Sequence, residues 1–397
     1  MQEDNQYIHI EEVKSVSDYM KYLEKLDIQA SETLCFRGSG DASWENIPSI
    51  YRDEKFISNE DHIYYDMLSR CSDDFKHCDN TFDNLVMMQH YGVPTRLLDI
   101  TENPLVALYF ACADDEKVNA DAKVDIFKID NSAIKRHDSD TVAMLANLVK
   151  MPSDFDLEEM KFFLEIKILS KRQDFDQIEM GQLVSCLSKI QYRIESRIDE
   201  EKSILNDSYG EYIPDEYINF LECYQRQISQ FLEKAISRSG DDFFQFLNEI
   251  NEFIKGFYLT QDSNGLFNYA KQKARFLKYQ HFIQSEKPYF NGDLMQPNDL
   301  SKVICVKPKQ DNPHIIRQSG AFFIFGVGSR MHNKLTTPNI PVDYLYRQNG
   351  KKVTIHIPKD SKVTIIKQLE ALAISAGTLF TDIDKVAADI KNKYRTQ

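Results

Sequence analysis

Three short stretches of this chain gather side chains of the kinds that bind anions and hold sugars. In the first, Phe36-Arg37-Gly38 sets a guanidinium beside a glycine. A guanidinium grips two phosphate oxygens at once, and a residue without Cβ lets a ligand approach the backbone. The second runs from Gln89 to Pro104 and packs His90, Tyr91, Thr95, Arg96, Asp99, Thr101, Glu102 and Asn103 together. It leads through a strand into a helix start, where free backbone N–H groups attract negative charge. The third is Arg317-Gln318-Ser319-Gly320, just ahead of the run Ala321-Phe322-Phe323-Ile324-Phe325. Taken alone, each stretch also fits a structural role: a surface arginine, a hydrogen-bonded turn, and turn residues before a strand. General catalytic motifs are absent, with no GxxxxGK[ST], no HExxH, no GxSxG and no GxGxxG after a strand. Gly326-Val327-Gly328 reads as a turn. The nine histidines lack metal-ligand spacing, so no metal site is expected.

The elements that must position these residues can be read from pattern. Thr33-Leu34-Cys35-Phe36 is a strand-like run ending at Arg37-Gly38. Helices are expected from about Glu60 to Phe75 and from Phe82 to Tyr91, the second broken by Gly92-Val93-Pro94. Thr95 to Asp99 then reads as a strand. Thr101 or Asn103 caps a helix with Pro104 in its first turn and Leu105, Ala107, Leu108 and Ala111 on its buried side. Further strands are expected at Val124–Ile129, Val303–Val306, Ala321–Phe325 and Val353–Ile357. A helix capped by Asp360 or Ser361 should run through Leu369 and Leu372 and stop at Gly377, and Asp382 should open a last one. Between the two α+β ends lie apolar stripes at helical spacing, Met180 to Ile194, Phe220 to Leu232 and Phe243 to Phe257. They imply a block of helices. The expected organisation is an α+β core split in sequence, with residues 1–150 and 291–397 flanking a helical insert at 151–290.

Composition narrows the class. The chain has 397 residues, 48 Lys+Arg against 62 Asp+Glu, and a net charge of −14, which argues against coating duplex nucleic acid. No apolar run approaches the roughly 18 residues of a membrane span. The acidic, polar Met1-Gln2-Glu3-Asp4-Asn5 is unlike a secretory signal, and seven scattered cysteines without a CxxC pair suit reduced thiols. A cytoplasmic protein is the expectation.

These stretches together resemble the FRG-domain family, named for its (F/Y)-R-G motif. Phe36-Arg37-Gly38 matches that motif. The run Gln89-His90-Tyr91-Gly92-Val93-Pro94-Thr95-Arg96-Leu97-Leu98-Asp99, followed by Asn103 to Ala111, is similar to the family's long signature, nearly unbroken. Arg317-Gln318-Ser319-Gly320-Ala321-Phe322 resembles its R-x-Q-x-G-x-F element, with arginine and glutamine adjacent here, and Thr378 to Asp384 resembles its closing L-F-x-D-L-D. The likeness covers about residues 30–130 and 300–395, not the helical block.

FRG domains look like distant relatives of ADP-ribosyltransferases, so the resemblance implies that fold, a mixed sheet split in sequence, with NAD as substrate and no metal. Arg37 takes the part of the first-strand arginine that holds the NAD phosphates, and Thr95 with Thr101 sits near the second-strand Ser/Thr residues. Where those enzymes supply a glutamate to the ribose, this chain offers Gln318, leaving Asp99 and Glu102 as substitute carboxylates. Loss of nicotinamide builds an oxocarbenium-like cation at the ribose C1′, so an enzyme pins the diphosphate, stacks the nicotinamide and sets negative charge against the cation. Arg37 would pin, Tyr91 or a phenylalanine such as Phe322 would stack, and Asp99 or Glu102 would stabilise. The implied catalytic set is Arg37, Asp99, Glu102 and Gln318. The implied NAD-binding set is Arg37, Gly38, His90, Tyr91, Thr95, Arg96, Thr101, Arg317 and Phe322.

The implied function is an NAD-dependent ADP-ribosyltransferase toxin acting on a macromolecule, as in bacterial toxin–antitoxin pairs and phage defence, with an antitoxin or chaperone-like partner. The alternatives are a non-catalytic module that binds a nucleotide or protein, and an NAD glycohydrolase. The acceptor stays open between protein and single-stranded RNA or DNA. Lys271, Lys273, Arg275 and Lys278 with Phe276 and Tyr279 mix basic and aromatic residues, as a single-strand site does, and equally read as a solvated helix face over core aromatics.

Overall fold

The computed structural model describes residues 8–113, 119–152, 225–233, 269–328, 330–331 and 334–380, with single positions and pairs elsewhere between 155 and 249. Most of the three apolar stripes and the helix expected from Asp382 lie outside the described residues. The chain divides into two compact units. One comprises residues 1–154, 282–290 and 300–397, and the other 155–281 and 291–299.

The first unit is a mixed α+β assembly on one large sheet. In chain order its strands begin with β1 (Ile8–Glu12), β2 (Glu32–Ser39), β3 (Leu97–Thr101), β4 (Ala122–Asp130) and β5 (Lys135–Arg136). They continue with β6 (Val303–Lys307) and β7 (Gly320–Phe325). After a separate ribbon, β8 (Arg330–Met331) with β9 (Lys334–Leu335), come β10 (Arg347–Gln348) and β11 (Lys351–Ile357). The spatial order is β1-β11-β4-β2-β3-β7-β6-β5, with β10 also on β11. The β1–β11 and β5–β6 pairs are parallel, and the other pairs are antiparallel. The helices are α1 (Val16–Leu23), α2 (Glu54–Ile57), α3 (Glu60–Arg70), α4 (Thr81–His90), α5 (Pro104–Cys112) and α6 (Asp140–Asn147). They are followed by α7 (Tyr269–Glu286), of which only residues 282–286 belong to this unit, and by α8 (Pro313–Gln318), α9 (Lys362–Ala371) and α10 (Ala376–Leu379).

Strand alternation divides the apolar residues between two faces. Phe36, Val124, Ile126, Val353 and Ile355 pack with Tyr19 of α1, Ala107 and Ala111 of α5, and Ile365 of α9. Cys35, Phe127 and Ile129 join Leu98, Ile100, Cys305, Phe323 and Phe325 in a second core. Gly38 is where α5 lies closest to the sheet, since a Cβ there would sit 1.9 Å from the Ala107 carbonyl oxygen and 2.7 Å from the Ala111 nitrogen. The (F/Y)-R-G glycine therefore serves helix packing.

The pairing is uneven at one joint. β2 pairs with β4 along its whole length, from Glu32↔Asp130 to Ser39↔Lys123, yet meets β3 only at Phe36↔Thr101. β3 in turn pairs fully with β7, from Leu97↔Ile324 to Thr101↔Gly320. The ladder opens beyond the Phe36–Thr101 pair, leaving the Asp99 carbonyl to a side chain.

Several boundaries differ from the sequence reading. β2 continues to Ser39, because the ladder with β4 carries Arg37 and Gly38 inside the strand rather than past its end. The third strand begins at Leu97, not Thr95: the Thr95 hydroxyl accepts from the Leu97 N–H and the Arg96 side chain turns inward. Asn103 is the cap of α5, accepting from the Leu105 N–H at 3.0 Å, while Thr101 braces Asn103 itself. The helix expected to reach Gly377 ends at Ala371, because Ala373 takes a left-handed φ of 59°, and Gly377 lies within α10. Phe276 and Tyr279 of α7 are buried, whereas Lys273 and Lys278 are exposed, so these rings belong to packing and are closed to base stacking.

Candidate functional site

A cavity of about 330 Å³ opens where β2 and β3 part. Its floor is made by Arg37 and Gly38 on one strand and Asp99 and Thr101 on the other. α4 contributes Val86, Gln89 and His90 to one wall, while Phe110 of α5 and Phe380 after α10 form another. Ile315 and Gln318 of α8, Phe322 of β7 and Trp44 also line the space.

Arg37 spans the gap in the ladder. Its Nη1 donates to the Asp99 carbonyl oxygen at 2.7 Å, replacing a missing strand–strand bond, whereas its buried Nε has no partner among the described residues. Burial lowers the guanidinium pKa; Asp99 opposes that shift, Arg52 adds to it, and Asp125 opposes it. An arginine keeps its charge through such shifts, so the floor carries a fixed cation.

Asp99 contributes main chain and side chain to different tasks. Its carbonyl holds Arg37, and its exposed carboxylate accepts from Gln89 Nε2 through Oδ2 at 2.7 Å. Gln89 is held in turn by Thr95, whose hydroxyl donates to Gln89 Oε1 at 2.5 Å.

Beside Arg37 in the β2–β4 register stands Asp125, fully buried. Its carboxylate accepts from Lys352 Nζ at 2.9 Å, Thr354 Oγ1 at 3.0 Å and Asn46 Nδ2 at 3.0 Å, with Lys123 Nζ 3.8 Å away. Burial pushes this carboxyl up, but Lys352 and Lys123 with the hydrogen bonds outweigh it, and the pKa is lowered overall.

The third stretch acts through its neighbours. Thr101 donates to the Gln318 carbonyl oxygen at 2.5 Å, Gln318 Nε2 donates to the Leu379 carbonyl oxygen at 3.2 Å, and Arg317 Nη1 to that of Thr378 at 3.3 Å. Adjacent arginine and glutamine thus fasten the segment that delivers Phe380, whose ring meets Phe110 edge-on with centroids 6.1 Å apart. Ser319, at φ 46°, turns the chain from α8 into β7.

Of the residues singled out from sequence, Arg37, Gly38, His90, Asp99, Thr101, Gln318 and Phe322 line the cavity. Thr95 and Arg96 do not; both are 1% exposed. Arg96 donates to Glu60 Oε1 at 2.9 Å through Nε and to the Phe325 carbonyl oxygen at 3.0 Å through Nη1, with a further ion pair from Nη2 to Glu60. Tyr91 is 56% exposed and outside the lining, though its ring lies 5.0 Å from that of His90. Glu102 is also outside, paired with Lys307 at 2.6 Å, and Arg317 is committed to Thr378.

Sequence reasoning did not single out Gln89, Phe110, Phe380, Trp44 or Asp125. Gln89 and Phe110 lie within the signature itself, and weighing every polar and aromatic member of that run would have found them. Asp125, in an alternating Val-Asp-Ile-Phe-Lys strand, carries no such signal, because a solvent-facing and a buried, paired aspartate look alike there.

The site belongs to an α+β protein whose sheet is opened along one joint by a polar and aromatic cavity. Residues 32–120 match the family model described as FRG domain, which supports that reading of Phe36-Arg37-Gly38 and of the long signature. No curated protein and no solved structure matches the chain. Among the described residues, no helix is long and apolar enough to cross a membrane, and no group of three or more His, Cys, Asp or Glu is gathered to hold a metal ion.

Proposed function

We propose that the cavity binds NAD and that the chain transfers ADP-ribose from it to a macromolecule, in the manner of a distant ADP-ribosyltransferase. The observation that carries this reading is Arg37, a fixed cation on the cavity floor with a buried Nε that has no acceptor among the described residues. A buried donor left unpaired costs about 1–3 kcal/mol. A phosphate oxygen would satisfy it with a charge-assisted bond. Across the floor, the Asp99 carboxylate would stand against the positive charge that develops on the ribose as the C1′–N bond breaks and nicotinamide leaves with the bonding electrons. An acceptor nucleophile would then form the new bond to C1′ and give up its proton. Phe322, Phe110 and His90 offer faces for the nicotinamide. At about 330 Å³ the cavity is at the small end of ligand sites, about 300–1,000 Å³, so it would enclose one half of the dinucleotide and leave the adenosine half at its mouth. A toxin role in bacterial toxin–antitoxin or phage-defence systems, in the cytoplasm where NAD is supplied and under an antitoxin-like partner, completes the proposal.

One observation favours binding without turnover. The residue in the glutamate's place, Gln318, is neutral and already donates to the Leu379 carbonyl oxygen. Purified protein incubated with labelled NAD and cell extract separates the readings. Label on a macromolecule, lost in Arg37→Ala, supports transfer, while free ADP-ribose without a labelled acceptor identifies a glycohydrolase. Tight calorimetric binding of NAD left intact identifies a binding module, and absence of both binding and turnover overturns the nucleotide reading altogether.

A further inference from the structure

The cavity's exposed carboxylate is held by a directional chain of hydrogen bonds that begins in the core. Thr95 is buried, and its Oγ1 already accepts from the Leu97 N–H at 3.1 Å. A hydroxyl has one proton, and that proton points to Gln89 Oε1 at 2.5 Å. The Gln89 amide is thereby fixed with its NH₂ toward Asp99, where Nε2 donates to Oδ2 at 2.7 Å. Turning the amide over would set Oε1 against a carboxylate and take from the buried Thr95 hydroxyl the acceptor for its proton, so the carboxylate selects this orientation and Thr95 reinforces it. Among the described residues no donor reaches Asp99 Oδ1. The polar end of the cavity therefore has two distinct parts: the Arg37 guanidinium, suited to an anion, and a carboxylate oxygen suited to hydroxyl donors.

We propose that Gln89 is a positioning residue: locked by Thr95, it fixes the rotamer of Asp99 so that Oδ1 meets the hydroxyl groups of a ribose whose phosphate is held by Arg37. The inference rests on the nucleotide reading above and adds which ligand group the carboxylate reads and what keeps it in place. It separates two ligand parts that a single pocket would otherwise bind as one. Inorganic pyrophosphate offers only the anion and reads Arg37, whereas ADP-ribose offers both anion and sugar hydroxyls.

Calorimetry with these two probes tests it on the full-length protein. Gln89→Leu removes the donor at similar size, and weakening of ADP-ribose binding by about tenfold or more is expected, with pyrophosphate binding unchanged within about twofold. Gln89→Glu sets a second carboxylate against Asp99 and should weaken ADP-ribose at least as much. Thr95→Val frees the amide to turn and should give a smaller loss of the same kind. Arg37→Ala should lose both ligands. Equal loss of both probes in Gln89→Leu, or loss of neither, overturns the positioning role while leaving the nucleotide site intact. Failure of the parent protein to bind either probe overturns the nucleotide site and this inference with it. A crystal structure of Gln89→Leu decides the geometry independently of any ligand: the Asp99 carboxylate should leave its present rotamer, and an unmoved carboxylate refutes the proposal.

Discussion

At the scale of single residues, the cavity depends on a division of labour between Arg37 and Asp99 that mutation can separate. Lysine at position 37 keeps the charge but offers one point donor in place of the planar fork that bonds the Asp99 carbonyl and presents Nε. Arg37→Lys should therefore recover little of the NAD affinity lost in Arg37→Ala, as titration calorimetry would record. Asp99→Asn leaves the main-chain carbonyl that holds Arg37 in place and removes only the negative charge. Binding of NAD should weaken by about tenfold, as in Gln89→Leu, while single-turnover transfer falls by about a hundredfold or more, the scale of a lost electrostatic contact in a transition state. Asp125 carries a different consequence. Its folded pKa lies below its ordinary value, so it contributes stability that is complete above about pH 4 and is lost as pH falls through the folded value. Lys352→Met removes the nearest cation while Thr354, Asn46 and Lys123 remain, and urea denaturation at pH 7 should show a loss of about 1–3 kcal/mol. As its pKa rises without the lysine, the acid transition should also move to higher pH.

Elements explain why some of these residues were legible in the sequence and others were not. The caps, breakers and alternating strands around the signature could be read directly, and Asn103-Pro104 and the strands at 303–307 and 320–325 stand close to where pattern places them. Arg96 could not be read, because an arginine in a polar signature looks like a ligand. Only the folded chain, in which Glu60 at the start of α3 and the Phe325 carbonyl at the end of β7 both reach it, shows that it is held in the interior. Glu60→Gln breaks this buried pair and should lower stability by about 3–5 kcal/mol in a denaturant melt. Gly38 was read as a place for a ligand to approach the backbone, yet the close approach is made by α5. Gly38→Ala forces a methyl into the Ala107 carbonyl and must lift the helix from β2. A loss of about 3 kcal/mol or more is expected, at the upper end of the usual cost of overpacking. Phe110, carried on the same helix, would shift with it, so nucleotide affinity should fall even in protein that remains folded. Unchanged melting of Gly38→Ala would show that the helix does not rest on this strand.

At the scale of the whole molecule, the α+β ends and the discontinuity between them were visible as a change of pattern, but the order of strands was not. Nothing local in the sequence says that β11 inserts between β1 and β4, or that β7, more than two hundred residues away, is the full-length neighbour of β3. Such pairings are set by which apolar faces can be buried together, a property of the assembled sheet. The same order makes the site a joint product of the two chain ends, although the family model reaches only residues 32–120. Residues 1–154 alone contain Arg37, Gly38, Gln89 and Asp99, together with the β2–β4 pair. They lack β7, which holds β3 at the far side of the gap, and β11, which joins β1 to β4. That fragment would leave β1 and β5 without partners, open the edges of β3 and β4, and lack the part of each core that comes from beyond residue 300, a state that neither stays soluble nor folds cooperatively. Expressed by itself it should give a poorly dispersed amide spectrum, rapid proteolysis and no binding of ADP-ribose. Residues 282–397 supplied as a second chain return β6, β7, β11 and Phe380, and dispersion, protection and binding should return together. A fragment of residues 1–154 that folds and binds unaided would show that the cavity needs only one end of the chain, and that the wall formed by Gln318, Phe322 and Phe380 is dispensable.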